Sequence, residues 1–133
     1  MPAPNPYPEL VKLRDALAAI PDVATCKIGL EVNITAADYP MIRIVPSEFR
    51  RGEKTTQSLS VLVYYGEKAH DFEPGGIEAQ YEWLFAMEAR IKNAAISCGA
   101  RVLWQDTVLD EDRVPGYKLF ASRFTMELFR VGA

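Results

Sequence analysis

His70 and Asp71 are the residue pair that most directly suggests catalysis, because an imidazole beside a carboxylate can serve as a general base. Neighbours in sequence rarely orient each other as a catalytic triad requires, and no serine or cysteine lies in a recognisable nucleophile setting. We therefore interpret His70 as a surface-loop histidine. The sequence predicts no catalytic residue and a non-enzymatic protein.

Cysteines and acidic residues are the side chains in this sequence that could bind a metal ion. Cys26 and Cys98 fall on predicted apolar faces, which favours free buried thiols over a redox pair. A zinc site usually takes four ligands, and His70 is the only histidine in the chain. The acidic loop at residues 106–112 lacks the regular oxygen spacing and internal glycine of a calcium loop. We expect neither a metal nor another cofactor.

Two features of the sequence bear on anion and nucleic-acid binding: a glycine pair before a predicted helix and the net charge. Gly75 and Gly76 precede a predicted helix whose N-terminus could accept an anion, but they match neither a dinucleotide-binding fingerprint nor a P-loop. Their simplest role is to let the chain turn. The net charge of −3 and the isoelectric point near 5.2 argue against a dedicated nucleic-acid binder, although local basic patches are compatible with that balance.

The strongest pattern in the chain covers residues 57–99. Residues 57–65 form a charge-free strand with alternating apolar side chains, which indicates a central position in a sheet because edge strands usually carry charge or proline. An apolar stripe at spacings of three and four then predicts a long helix over residues 77–98, closed by Gly99 in the left-handed conformation. The residues of the predicted stripe are Ile77, Tyr81, Leu84, Phe85, Ile91, Ala95 and Cys98. We interpret this strand and helix as the scaffold.

The remaining periodicities predict one α+β domain. The predicted order is helix (8–20), strand (23–30), strand (39–46), strand (57–65), helix (77–98), strand (101–107) and strand (117–131). This gives a mainly antiparallel or mixed sheet of about five strands, with two helices packed on one side. Residues 1–7 form an extended proline-rich arm and residues 8–133 the single domain. No apolar run approaches a membrane span and no signal peptide is recognisable, so we expect a cytoplasmic protein.

Three surfaces are left for function. Residues 47–56 form a basic loop that is either a solvated hairpin tip or a patch for a phosphate backbone or an acidic partner. An acidic loop follows the fourth strand. The second face of the last strand is apolar at Leu119 and Phe129 but charged between them, which predicts that something other than this chain's own core covers part of it.

The segment Asp-Tyr-Pro at 38–40, followed by Ile-Arg-Ile-Val-Pro at 42–46, resembles the tail-terminator proteins of long-tailed bacteriophages, the minor tail protein U group. The element order and the length of about 130 residues support the resemblance. It implies a structural subunit that forms a hexameric ring, caps the tail tube and joins it to the head connector. It also implies DNA passage without sequence-specific binding, no membrane contact, and a location in the host cytoplasm during assembly and then in the virion tail.

The candidate contacts to a neighbouring subunit or partner are charged residues of the basic and acidic loops: Arg50, Arg51, Lys54, Asp110, Glu111 and Asp112. The alternative that the sequence leaves open is an oligomeric α+β module that binds a ligand or protein in an unrelated cellular role.

Overall fold

A mixed β-sheet carries two helices on one of its faces in the computed structural model, which describes residues 5–30, 35–51, 56–68, 76–109 and 117–129. The elements in chain order are α1 (Tyr7–Ala18), β1 (Thr25–Ile28), a 3₁₀ turn (Ala36–Asp38), β2 (Met41–Arg51), β3 (Thr56–Lys68), α2 (Gly76–Ile96), β4 (Arg101–Val108) and β5 (Tyr117–Phe129). The predicted α+β class and the order of helices and strands are confirmed.

The five strands lie in the order β1-β2-β3-β5-β4. β1 runs parallel to β2, and the other neighbouring strands are antiparallel. β3 is the middle strand, as its lack of charge over residues 57–65 predicted. Its two neighbours accompany it along most of its length, so both of its edges are hydrogen-bonded and the strand needs no protective charge.

The main core lies between the sheet and the helices. The predicted inner face of β3 is fully buried, and so is the inner face of β5 around Phe120 and Phe124. Leucines of α1 and the apolar stripe of α2 fill the other side. The buried residues of this core on the helices are Leu10, Leu13, Leu17, Leu84, Met87, Ile91 and Ala95.

The buried stripe of α2 differs from the predicted one at its N-terminal half. Ile77 and Phe85 were assigned to the buried stripe, but both are exposed, whereas Gln80 and Met87 are buried. The buried row of α2 begins with Gly76 and Gln80, and Ile77 lies outside it. Gly99 has the predicted left-handed conformation, with a φ of +96°, but the helix already ends at Ile96, three residues before it. Neither helix in the described ranges is long and apolar enough to cross a membrane.

β2 is longer than the proline-bracketed strand predicted for residues 39–46. The chain stays in the sheet through Arg51, with a bulge between Pro46 and Glu48, so half of the predicted basic loop is strand. A proline is tolerated at such an irregularity because the ladder is already interrupted there. Phe49 then returns to the inner face and packs against the core, which holds the extension in place.

A second buried layer lies on the outer face of the sheet, away from the helices. Arg43, Tyr64 and Leu119 are all buried there. Asp38, in the described part of the connection from β1 to β2, lies on this face: Thr25 Oγ1 donates to the main-chain oxygen of Asp38 over 2.6 Å, and Arg43 Nη2 lies 3.9 Å from Asp38 Oδ1. Leu119 is 0% exposed within this chain, so it needs no external cover and this part of the prediction for the last strand is wrong. The side chain of Phe129, the other apolar residue of that prediction, lies outside the described residues.

Candidate interaction surfaces

Of the six charged residues predicted as contacts, the structure describes the side chain of one. Arg50 lies on the outer face near the end of β2, is exposed, and forms an ion pair with Glu48 two residues earlier. Arg51 ends β2, but its side chain lies outside the described residues. The other four predicted contacts, Lys54, Asp110, Glu111 and Asp112, lie outside the described residues altogether.

Arg50 shares one cross-strand row with a second ion pair. The register places Arg50 beside Ser58 of β3, then Glu127 of β5, then Arg101 of β4. Arg101 Nε lies 2.7 Å from Glu127 Oε2. Both arginines of this row are therefore paired with a carboxylate of the same chain, and the row presents alternating charge, not a concentrated basic patch.

A shallow groove of about 360 Å³ lies on the outer face across β2, β3, β5 and β4. Its two rims are the two bulges of the sheet: Ser47 stands at the bulge of β2, and Gln105 stands at the bulge of β4. A bulge increases the local twist of a strand and redirects its side chains. The groove is thus a consequence of two matched irregularities on either side of the paired strands β3 and β5.

The groove is lined by polar groups that bond to one another. Gln105 Nε2 donates to Thr125 Oγ1 over 3.2 Å, and Ser47 Oγ donates to the main-chain oxygen of Ser60 over 3.1 Å. The Arg123 guanidinium donates two hydrogen bonds to the Asp106 carboxylate and holds the pKa of that carboxyl below its usual range. A carboxyl held ionised in this way is a poor proton donor near neutral pH, so the groove suits binding better than acid catalysis.

The sequence predicted no groove here, because the bulge of β4 shows only in the strand pairing. Val102 and Thr107 both turn to the inner face of β4, and an odd separation of five residues is incompatible with a regular strand. Such a break in the two-residue period is the signature of a bulge. The groove also requires the second bulge, on β2, to lie opposite the bulge of β4 across the paired strands β3 and β5. This alignment is visible only in the strand pairing of the structure.

A chain of buried hydroxyl groups links the sheet to α2. The Tyr65 hydroxyl lies 3.0 Å from Ser122 Oγ, which lies 2.9 Å from Thr107 Oγ1. Thr107 donates to Glu88 Oε2 over 2.9 Å, and since its one proton is used there, Ser122 must donate to Thr107 and Tyr65 to Ser122. Burial raises the pKa of Tyr65 far above its usual range, which makes the phenol inert as an acid. The chain is a structural cross-link between β3, β5, β4 and α2.

The cysteines are free, as the sequence predicted, and both are half-buried. Cys26 Sγ lies 3.6 Å from the main-chain oxygen of Arg14, and burial raises the pKa of the thiol to about 11. Cys26 is therefore a weak nucleophile at neutral pH. Within the described ranges, no three His, Cys, Asp or Glu side chains come together in a way that could hold a metal ion.

The edge strand β4 is the most apolar exposed part of the described surface. Of the large apolar side chains that are exposed in the described residues, half lie on β4 or directly after it: Leu103, Trp104, Val108 and Leu109. Lys92 lies over the Trp104 ring at 4.6 Å from its centroid, and Phe85 of α2 packs edge-on against Phe120 with ring centroids 5.2 Å apart. Apolar exposure concentrated at one edge is typical of a surface that contacts another protein.

No protein-family model matches this sequence, and a comparison with curated proteins finds no match.

Proposed function

We propose that this chain is a non-enzymatic structural protein of a phage or prophage, a tail-terminator subunit that forms a ring, caps the tail tube and joins it to the head connector. The single observation that supports this best is the exposed apolar edge at β4, because a subunit that works only in an assembly must expose apolar surface as a monomer. The confirmed α+β element order agrees with the resemblance at residues 38–46.

The charge pattern supports the same role. A ring around a DNA channel must let the duplex slide, and each phosphate that a protein neutralises adds salt-dependent affinity. The net charge of −3 keeps such affinity low. Arg50 and Arg101 each face a carboxylate of their own chain, which weakens their attraction for phosphate further.

Ring formation is tested by size-exclusion chromatography with light scattering over a wide concentration range, followed by negative-stain imaging. We expect a species of six chains and closed rings, either for the protein alone or after addition of a tail-tube protein from the same genome. A monomer under both conditions would contradict the proposal. Tail-tube polymerisation gives a second readout, since a terminator added to growing tubes stops their elongation.

The contribution of the basic surface is tested by charge reversal at Arg50. We expect Arg50→Glu to impair tail joining while the fold is retained, because the side chain is exposed and contributes nothing to the core. Lys12→Glu is the matched control: it reverses an exposed charge on α1 that is paired with Glu9 in the same way. Equal joining activity in both variants would remove Arg50 from the contact surface.

The second candidate function is an oligomeric binding module with a cellular role, which the polar groove on the outer face favours. Groups that donate and accept hydrogen bonds line it on both rims, as a binding site for a polar ligand requires. A ligand that occupies the groove would raise the melting temperature of the protein in a concentration-dependent way. Such a rise, with no ring at any concentration, would favour this function over the first.

A further inference from the structure

In the described part of the chain, the sheet ends on each side in a strand that has a neighbour on one edge alone. Within the described residues, β4 pairs only with β5, and β1 pairs only with β2. An edge strand presents a row of main-chain N–H and C=O groups that can bond to a strand of another chain. The chemistry that fits such an edge is an extended peptide segment.

The usual protection against strand addition is weak on β4. Its two charged residues, Arg101 and Asp106, point to the outer face, and each is paired with an opposite charge on β5. The side chains beside them are apolar: Leu103 is 44% exposed on the outer face, and Trp104 is 37% exposed on the inner face. An added strand would therefore cover apolar surface on both faces of the edge without burying an unpaired charge.

The bulge of β4 sets the length of the segment that fits. The regular part of the strand runs from Arg101 to Trp104, four residues, before the register shifts between Trp104 and Asp106.

β1 at the opposite edge is also four residues long, from Thr25 to Ile28. The amides of Thr25 and Gly29 donate to Pro40 and Ile44 on the β2 side. By the alternation along a strand, the amides between them at Cys26 and Ile28 face the free edge.

We infer that the first half of β4, residues 101–104, pairs edge to edge with β1 of a second copy of this chain, so that the sheet continues from one subunit into the next. The inference rests on the proposed ring, since two different surfaces of one chain that meet head to tail build a ring when the rotation closes. It adds to that proposal the strands that form the contact.

Two variants with equal exposure test the contact. Leu103 and Ile77 are both 44% exposed, the first on β4 and the second at the start of α2. Leu103→Lys places a charge in the edge contact and should weaken self-association at least tenfold by light scattering. Ile77→Lys makes the same kind of change elsewhere and should leave association as in the wild type. Equal association of both variants would overturn the inference, and circular dichroism confirms that each is folded.

Hydrogen exchange read by mass spectrometry identifies the partner strand without any substitution. Peptides covering residues 23–30 and 101–104 are compared at concentrations above and below that of assembly. We expect both peptides to gain protection in the assembly. Protection of the β4 peptide alone would overturn the pairing with β1 in favour of a symmetric contact between two β4 strands or an unrelated partner segment.

The two proposals fail in different ways. If the wild type never assembles, alone or with the tail-tube protein, the proposed function fails. If rings form but neither peptide gains protection and Leu103→Lys still assembles, the function stands and the edge pairing is wrong.

Discussion

Thr107 of the edge strand donates a hydrogen bond of 2.9 Å to Glu88 of α2 and accepts one of 3.2 Å from Trp104 Nε1. The same oxygen is the acceptor for Ser122 of β5. One hydroxyl group therefore joins the free edge of the sheet to the long helix and to the neighbouring strand. This arrangement fixes the position of Trp104, whose exposed ring is part of the apolar edge.

Replacement of Thr107 by valine should destabilise the protein by about 1–3 kcal/mol, because the buried Ser122 hydroxyl loses its acceptor while the shape of the side chain is preserved. The measurement is the free energy of unfolding from urea denaturation. Thr125→Val is the control, since Thr125 is half-buried like Thr107 but its hydroxyl accepts from the exposed side chain of Gln105 instead of from a buried hydroxyl. If both variants lose the same stability, the hydroxyl chain is not a cross-link.

Gly66 should tolerate no larger residue, because β3 and β5 approach each other closely at this position. A Cβ at this position would lie 1.9 Å from the main-chain oxygen of Lys118, which cannot move without disturbing the β3–β5 ladder. We expect Gly66→Ala to cost about 3 kcal/mol or more in the free energy of unfolding, the upper range for overpacking.

Gly99→Ala provides the contrast to Gly66→Ala. A Cβ at Gly99 has open space around it, but the φ of +96° is unfavourable for alanine. The cost there should be about 1–2 kcal/mol, from backbone conformation alone. Thermal unfolding of the two variants side by side separates steric from conformational cost, and a smaller loss at position 66 than at position 99 would contradict the argument.

The sequence predicted the helices and strands that have one apolar face packed against the core, because that face leaves a periodic pattern of apolar residues. The strand at residues 57–65 alternates between the core and a second face, and the helix over 77–98 carries an apolar stripe, so both elements were identified. The helix length was nearly correct, whereas β3 is longer than predicted and runs from Thr56 to Lys68. The end of β2 was not predicted, because four of the five residues from Ser47 to Arg51 are polar. The partner strand β3 and the packing of Phe49 against the core hold this segment in the sheet.

The candidate surfaces were less predictable than the fold. Arg43 alternates with Ile42 and Ile44 like an outward-facing charge, yet it is fully buried under the connection from β1 to β2 and near Asp38. Burial by residues that are distant in sequence leaves no periodic pattern in the strand itself, so it cannot be predicted from the alternation of side chains. The groove on the outer face depends in the same way on two bulges that meet across the sheet, and the exposure of Leu103 depends on the strand order, which sequence alone does not determine.

Cys26 should react slowly with thiol reagents while the protein is folded. With its pKa raised to about 11 from an ordinary 9.0, the thiolate fraction at pH 8 falls roughly a hundredfold, and alkylation should slow in proportion. Iodoacetamide labelling followed by mass spectrometry in a Cys98→Ser background measures the rate, with the urea-unfolded chain as reference. Because the unfolded thiol ionises first, the folded state should also lose stability as the pH rises from about 9 towards 11. Equal labelling rates in the folded and unfolded chains at pH 8 would contradict the burial of this thiol.

Arg123 should control the titration of Asp106, since its two hydrogen bonds are the largest cause of the lowered carboxyl pKa. The pair should add stability only above the ordinary pKa of an aspartate, and that contribution should disappear as the pH falls through the lowered value. NMR titration of the Asp106 carboxyl carbon should show this midpoint move back up in Arg123→Gln. Arg101→Gln removes a neighbouring arginine that is paired with Glu127 instead, and it should leave the Asp106 midpoint unchanged. A midpoint that moves equally in both variants would mean that the general positive potential of the face, and not the two-bonded pair, holds Asp106 ionised at the rim of the groove.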